Sequence, residues 1–225
     1  MNSTTDPRVR AAQTKRARTQ AALLTAALRT FQTQGWTGSR MEEIAASAGV
    51  SVATAYKHFS GKDVLLARVY APFVLREQDR SRGRVEMGAP TPAALEAHVR
   101  DLATMIREQG SLTLAYTRAV AEYTERVGGP ARPDDDADPR NIAPVSQEVA
   151  RLIQRGQLDR QFRPHPAAAE IASLVVSQML ARAAVHPGED PNITAEIGLT
   201  TLFALLTPQL LVEAGLTGRP FAANP

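Results

Sequence analysis

The apolar positions of this chain recur at helical spacing almost from end to end. Ala22, Leu23, Ala26, Ala27 and Phe31 share one side of a segment running from about Thr14 to Gln34, and Gly35 follows as a stop. Met41, Ile44, Ala45 and Ala48 form the inner face of a second helix. It is expected to start at Ser39, because Ser39-Arg40-Met41-Glu42 fits a capping box. Gly49 makes a turn, Ser51 caps a very short third helix to about His58, and Ser60-Gly61-Lys62-Asp63 caps a fourth that reaches roughly Arg80 before Gly83. Further helices are expected from Thr91 or Pro92 to Glu108, Ser111 to about Arg126, Ile142 to Arg155, Pro166 to Val185 and Asn192 to about Leu206. Residues 127–140, rich in glycine, proline and aspartate, read as a solvated loop. Alternating strands and hairpin dipeptides are scarce, so the expected fold class is all-α, with about nine helices.

A short helix set across its predecessor by a glycine turn is the helix-turn-helix arrangement, whose second helix enters the DNA major groove. Charge supports that reading. Residues 1–62 hold nine basic and three acidic side chains, a net +6, while residues 63–225 carry −3. A basic head on a mildly acidic body suits a polyanion-binding module joined to something else.

Composition then excludes several chemistries. The chain has no cysteine, which removes disulfides, thiol redox sensing and cysteine metal sites. No HExxH, glycine-rich phosphate loop or Gly-x-Ser-x-Gly is present, and the four histidines are scattered singly, so an enzyme is not expected. The acidic run Asp134 to Asp138 lacks the glycine and terminal glutamate of an EF-hand loop, and neither a metal nor a cofactor is expected. The start lacks the apolar run of a signal peptide. The longest uncharged apolar stretch, Ile197 to Val212, contains Pro208 and is short for a membrane span. A soluble cytoplasmic protein is the expectation.

The ordered set Ala27, Phe31, Gly35-Trp36, Ile44-Ala45, Ala48-Gly49-Val50-Ser51, Thr54, Tyr56, His58-Phe59, Lys62 and Leu65 resembles the TetR family of bacterial transcriptional regulators over about residues 14–66. The rest matches only in plan, as helices with a long loop before the last three. The resemblance implies a DNA-binding domain at residues 14–66, with an effector-binding and dimerisation domain at 67–225. It implies that Tyr56 and His58 touch DNA phosphates, which a phenol hydroxyl and an imidazole N–H can do. Ring packing within the domain is the alternative for both. Lys62 falls in the first turn of the fourth helix, where a cation opposes the helix dipole, so a nearby phosphate is a reasonable partner. Val52, Ala53, Thr54 and Lys57 are the expected base readers beside the cap Ser51. Apolar groups there suit thymine methyls, and the helix has no arginine, asparagine or glutamine for bidentate base contacts. Arg40 is a further candidate, or else a solvent-facing charge. The basic stretch from Arg8 to Arg18 is either a solvated tail or an arm on the DNA.

In the family the middle helices bind a small effector. Here Tyr70, Phe73, Met105, Tyr116 and Tyr123 are candidates to line such a cavity, with His98, Arg118, Glu122 and Gln147 as polar groups, or else they fill core. Residues 171–181 contain no charge and residues 197–206 are similarly apolar, so these helices need cover on more than one side. The family's four-helix dimer bundle would supply it, through Leu174, Val175, Met179, Ile197 and Leu202. The function implied is a homodimeric repressor on a palindromic operator, released by a small molecule of unidentified chemistry. An activator or an effector-independent DNA-coating protein are the alternatives.

Overall fold

A computed structural model of the chain describes residues 7–207. Ten helices and no strand are found among them: α1 (Pro7–Gly38), α2 (Met41–Ser47), α3 (Val52–His58), α4 (Lys62–Glu86), α5 (Thr91–Glu108), α6 (Gly110–Val127), α7 (Pro139–Ile142), α8 (Gln147–Leu158), α9 (Ala168–Val185) and α10 (Pro191–Leu206). The all-α expectation holds, with one helix more than counted from the sequence.

The helices group into two compact units, each contributed by two stretches of chain. The first comprises residues 7–75 and 109–144, the second residues 76–108 and 145–207. α4 runs unbroken through residue 66, and α6 packs along α1. In the first unit Leu23, Ala27 and Phe31 of α1 are fully buried, as are Ile44 and Ala45 of α2 and Leu65 and Leu66 of α4. In the second unit α5 packs on α8 and α10, and α9 lies against α8 and α10. Leu95, Val99, Leu102, Val149, Leu152, Ile153, Val175 and Leu202 form its fully buried core.

Several boundaries differ from expectation for local reasons. α1 begins at Pro7 rather than Thr14, because alanine, arginine and glutamine sustain helix without an apolar stripe. Its expected stop is visible as a break at Gly35, whose φ of 67° leaves helical geometry. Ser39 does not form the capping box. Its hydroxyl donates back to the Gly35 carbonyl, and Arg40 occupies the N-cap position of α2 without a side-chain bond. α4 passes through Pro72 and Gly83 and ends before Gly88, which has φ 88°. The helix expected from Ile142 is split. Asp138 caps the single turn α7 by accepting from the Arg140 N–H at 2.8 Å. Pro144, which lacks an N–H and disfavours helix in the residue before it, then separates α7 from α8.

Among the described helices, α9 is long and apolar enough, by composition alone, to cross a membrane. Its Ile171, Ala172, Val175, Val176 and Met179 are instead buried in the second unit.

Candidate DNA interface

The α2–turn–α3 segment is built by backbone closure. Gly49, at φ 70°, lets the chain reverse. The Gly49 N–H then reaches the Ala46 carbonyl and the Val50 N–H the Ala45 carbonyl, each at 3.0 Å. Ser51 caps α3 as expected, accepting from the Thr54 N–H at 3.2 Å, and its hydroxyl also meets the Thr54 hydroxyl at 2.8 Å. Ala55 and Phe59, buried at one face, anchor α3 to the core.

That anchoring fixes which side chains face outward. Ser51, Ala53, Tyr56 and Lys57 are exposed, and Val52, Thr54 and His58 are half-buried. Tyr56, at 48% exposure, is far more open than a core tyrosine. Lys57 and His58 lie in the last turn of α3, where positive charge suits the dipole. Arg40, just before α2, is exposed.

Lys62, expected near a phosphate, has partners within the protein. Its ammonium donates to the Trp36 carbonyl at 2.8 Å and the Ser39 carbonyl at 3.0 Å, and lies 3.9 Å from the Trp36 ring centroid. Burial lowers its pKa, opposed by the Glu122 and Asp63 carboxylates. Carbonyls from the end of α1 and from Ser39 just after it thus solvate the ammonium at the start of α4.

The same neighbourhood ties the head to α6, a connection the sequence did not signal. Trp36 Nε1 donates to Glu122 at 2.6 Å, and Arg126 donates to the nearly buried Asp63 at 2.6 Å. Tyr123 lies between the Arg126 and Arg140 guanidiniums, each 5.3 Å from its ring centroid.

The expected effector residues separate into two sets. Tyr70 and Tyr116 stack at 4.7 Å in the first unit, with Phe73 beside Tyr70. Their hydroxyls are already engaged, Tyr70 with Thr113 at 2.9 Å and Tyr116 with the Ala143 carbonyl at 2.8 Å. Burial pushes the Tyr70 phenol up to about 12 and raises that of Tyr116 further. Glu122 is occupied by Trp36, and Arg118 is exposed.

His98, Met105 and Gln147 belong to the second unit, where Gln147 is exposed while His98 and Met105 are buried. Neither His98 nitrogen has a hydrogen-bond partner among the described residues. Burial lowers the His98 pKa to about 4, against the pull of Glu148 and Asp101. Glu148 is itself buried. Burial opposes its charge, but bonds from Arg151 at 2.6 and 2.7 Å and from Ser81 at 2.8 Å outweigh that and lower its pKa. Glu148 and Arg151 stand three apart on α8, with the carboxylate buried and the guanidinium half-buried.

Of the expected dimer residues, Leu174 is 56% exposed and Ile197 half-buried. Val175, Met179 and Leu202 are at most 2% exposed, so packing within the chain already accounts for them. The apolar side chains left open on these helices are Leu174, Val185 and Ile193.

Residues 23–69 match the family model for bacterial regulatory proteins, tetR family. No curated protein matches the chain. Solved structures do. One is Thermus thermophilus FadR, a TetR-family transcriptional repressor in complex with lauroyl-CoA, with 17% identity, 92% of this chain and 99% of that one covered, and a TM-score of 0.63. Another is the fatty acid degradation regulator FadR from Bacillus halodurans, with 13% identity, coverages of 81% and 93%, and a TM-score of 0.60. A TetR-family regulator from Rhodococcus sp. has 20% identity, coverages of 85% and 100%, and a TM-score of 0.58. The matched segment holds the seven-residue α3 on its glycine turn, the helix-turn-helix arrangement. Residues 23–69 thus form a segment of the tetR-family type, and the chain as a whole shares the all-helical fold of these solved structures.

Proposed function

We propose that this chain is a TetR-family transcriptional regulator, a homodimeric repressor that reads a palindromic operator and is released from it by a small molecule. The DNA-contacting segment is residues 14–66, and residues 67–225 carry effector and dimer contacts. The observation that carries the reading is the outward face of α3, where Ala53, Tyr56 and Lys57 stand open around a helix held down by Ala55 and Phe59. Tyr56 and His58 position the phosphate backbone, and Val52, Ala53, the Thr54 methyl and Lys57 face base edges. The Thr54 hydroxyl is taken up by Ser51, which favours the methyl as its contact.

One such helix buries too little surface for selective binding, so two half-sites are needed. Leu174, Val185 and Ile193, exposed on α9 and α10, support pairing with a second copy. Release has a route in α6, which packs along α1 and holds Trp36 through Glu122. Displacement of α6 by an effector would move the head and change half-site spacing. Lauroyl-CoA, the compound in the Thermus thermophilus complex, is the first to assay for loss of DNA binding.

Replacing each thymine of a bound duplex by uracil tests the recognition face, since only the methyl is removed. At least one swap per half-site should weaken binding by somewhat less than the roughly 1–3 kcal/mol of a mismatched pair. Silence at every thymine would move specificity to Lys57, Arg40 or DNA deformability.

A further inference from the structure

We infer that the N-terminal half of α1 is a second DNA-binding element, lying on the phosphate backbone that flanks the half-site read by α3. The inference rests on the DNA-binding reading above and adds a surface to it. Every side chain from Val9 to Arg18 is exposed, and the first buried residue of α1 is Leu23. The family-model match also begins at residue 23, so this stretch lies outside the shared domain.

Among the described residues its charge has no ion-pair partner. No acidic residue occurs from Pro7 to Met41. Arg10, Lys15, Arg16 and Arg18 are all exposed, and the ion pairs among the described residues involve none of them. Arg10, Thr14 and Arg18 follow one another at four-residue intervals and, with Ala11 and Lys15, line an open groove along one side of the helix. At about 1.5 Å per residue the rise from Arg10 to Arg18 is about 12 Å, the axial length of three or four base-pair steps at about 3.4 Å each.

Electrostatics point the same way: Arg10, near the opening turn of α1, opposes the helix dipole, a penalty that a polyanion removes. Val9 is the one large apolar side chain between residues 9 and 21, so the helix lacks the apolar face that a membrane surface requires. Small Ala11, Ala12, Thr14 and Ala17 let the helix approach a strand closely.

The test compares the full chain with one carrying Arg10→Gln, Lys15→Gln, Arg16→Gln and Arg18→Gln. None of these side chains packs, so thermal melts of the two should coincide. Binding is measured across salt to a selected operator trimmed to its half-sites, and to the same operator with about one helical turn of flanking duplex at each end. The wild type should bind the flanked duplex at least about tenfold more tightly, and the variant should lose that advantage while keeping its sequence preference. The salt slope should fall by about 0.9 per phosphate released, or about 3 to 4 per subunit if all four contacts are lost. An unchanged slope and an intact flank effect in the variant would overturn the inference and leave the DNA-binding reading standing. A flank effect absent from both proteins, with anionic vesicles bound by the wild type alone, would overturn it in favour of a lipid surface. A wild type without sequence preference would overturn the DNA-binding reading and this inference with it.

Discussion

Lys62 separates a DNA contact from a structural one. Lys62→Met keeps most of the stem and deletes the charge. The wild-type ammonium donates to two carbonyls, at 2.8 and 3.0 Å, and covers the Trp36 ring at 3.9 Å. Hydrogen bonds to a charged group contribute about 1.5–3 kcal/mol each, and a cation over an aromatic ring about 0.5–2 kcal/mol. The desolvation that lowers the Lys62 pKa offsets part of this sum. A net loss of about 2–3 kcal/mol is therefore expected, or a Tm lower by roughly 4–12 °C for a chain of this size. The assay pairs a calorimetric melt with operator binding at low temperature over a range of salt. The account predicts a lower Tm and, in the protein still folded, an unchanged salt slope. An unchanged Tm with a slope reduced by about 0.9 per subunit would show Lys62 on a phosphate and refute the reasoning.

Acid should weaken the second unit through His98. Its native pKa of about 4 lies below its ordinary 6.5, so its stabilisation is whole above about pH 6.5. It is lost as pH falls towards 4, by about 3 kcal/mol in full. Urea melts of His98→Leu should flatten that limb of the stability curve, and an unchanged profile would refute the role. Glu148 acts in a lower window: its pKa is below 4.5, so its contribution is lost only under more acid conditions, as pH falls past that value. Leu174→Asp should give a soluble, folded monomer by sedimentation, weakening self-association at least about a hundredfold if the buried charge costs about 3 kcal/mol or more. Val175→Asp, at a position with no exposure, should unfold the chain instead. Gly156→Ala would place a Cβ 2.2 Å from the Phe162 ring, so a loss of about 1–3 kcal/mol is expected in denaturant melts.

The helix-turn-helix was legible because its signals are local. A glycine turn, a serine cap and two apolar faces lie within some twenty residues, and each is a short-range backbone or packing rule. The cap at Ser51 follows from spacing alone. What escaped were contacts between distant segments. Lys62 looked like a phosphate ligand because its dipole penalty was visible while the Trp36 and Ser39 carbonyls that offset it were not. Ser39 fitted a capping box by spacing, yet the Gly35 break brought the Gly35 carbonyl within its reach first. Val175, Met179 and Leu202 were legible as apolar, but apolarity does not tell burial within the chain from burial against a second copy. Exposure leaves Leu174, Val185 and Ile193 as the large apolar side chains open on these helices. Tyr70, Tyr116 and Glu122 were proposed to meet a ligand, and the structure gives each a partner inside the first unit.

The most direct test of the account is to select bound duplexes from a random pool with the purified chain, then determine sequence and stoichiometry together. The account predicts an inverted repeat with thymines in each half-site, two chains per duplex, and a large loss of affinity when either half is scrambled. A pool without enriched sequence, or one chain on an asymmetric site that tolerates scrambling of one half, would contradict it.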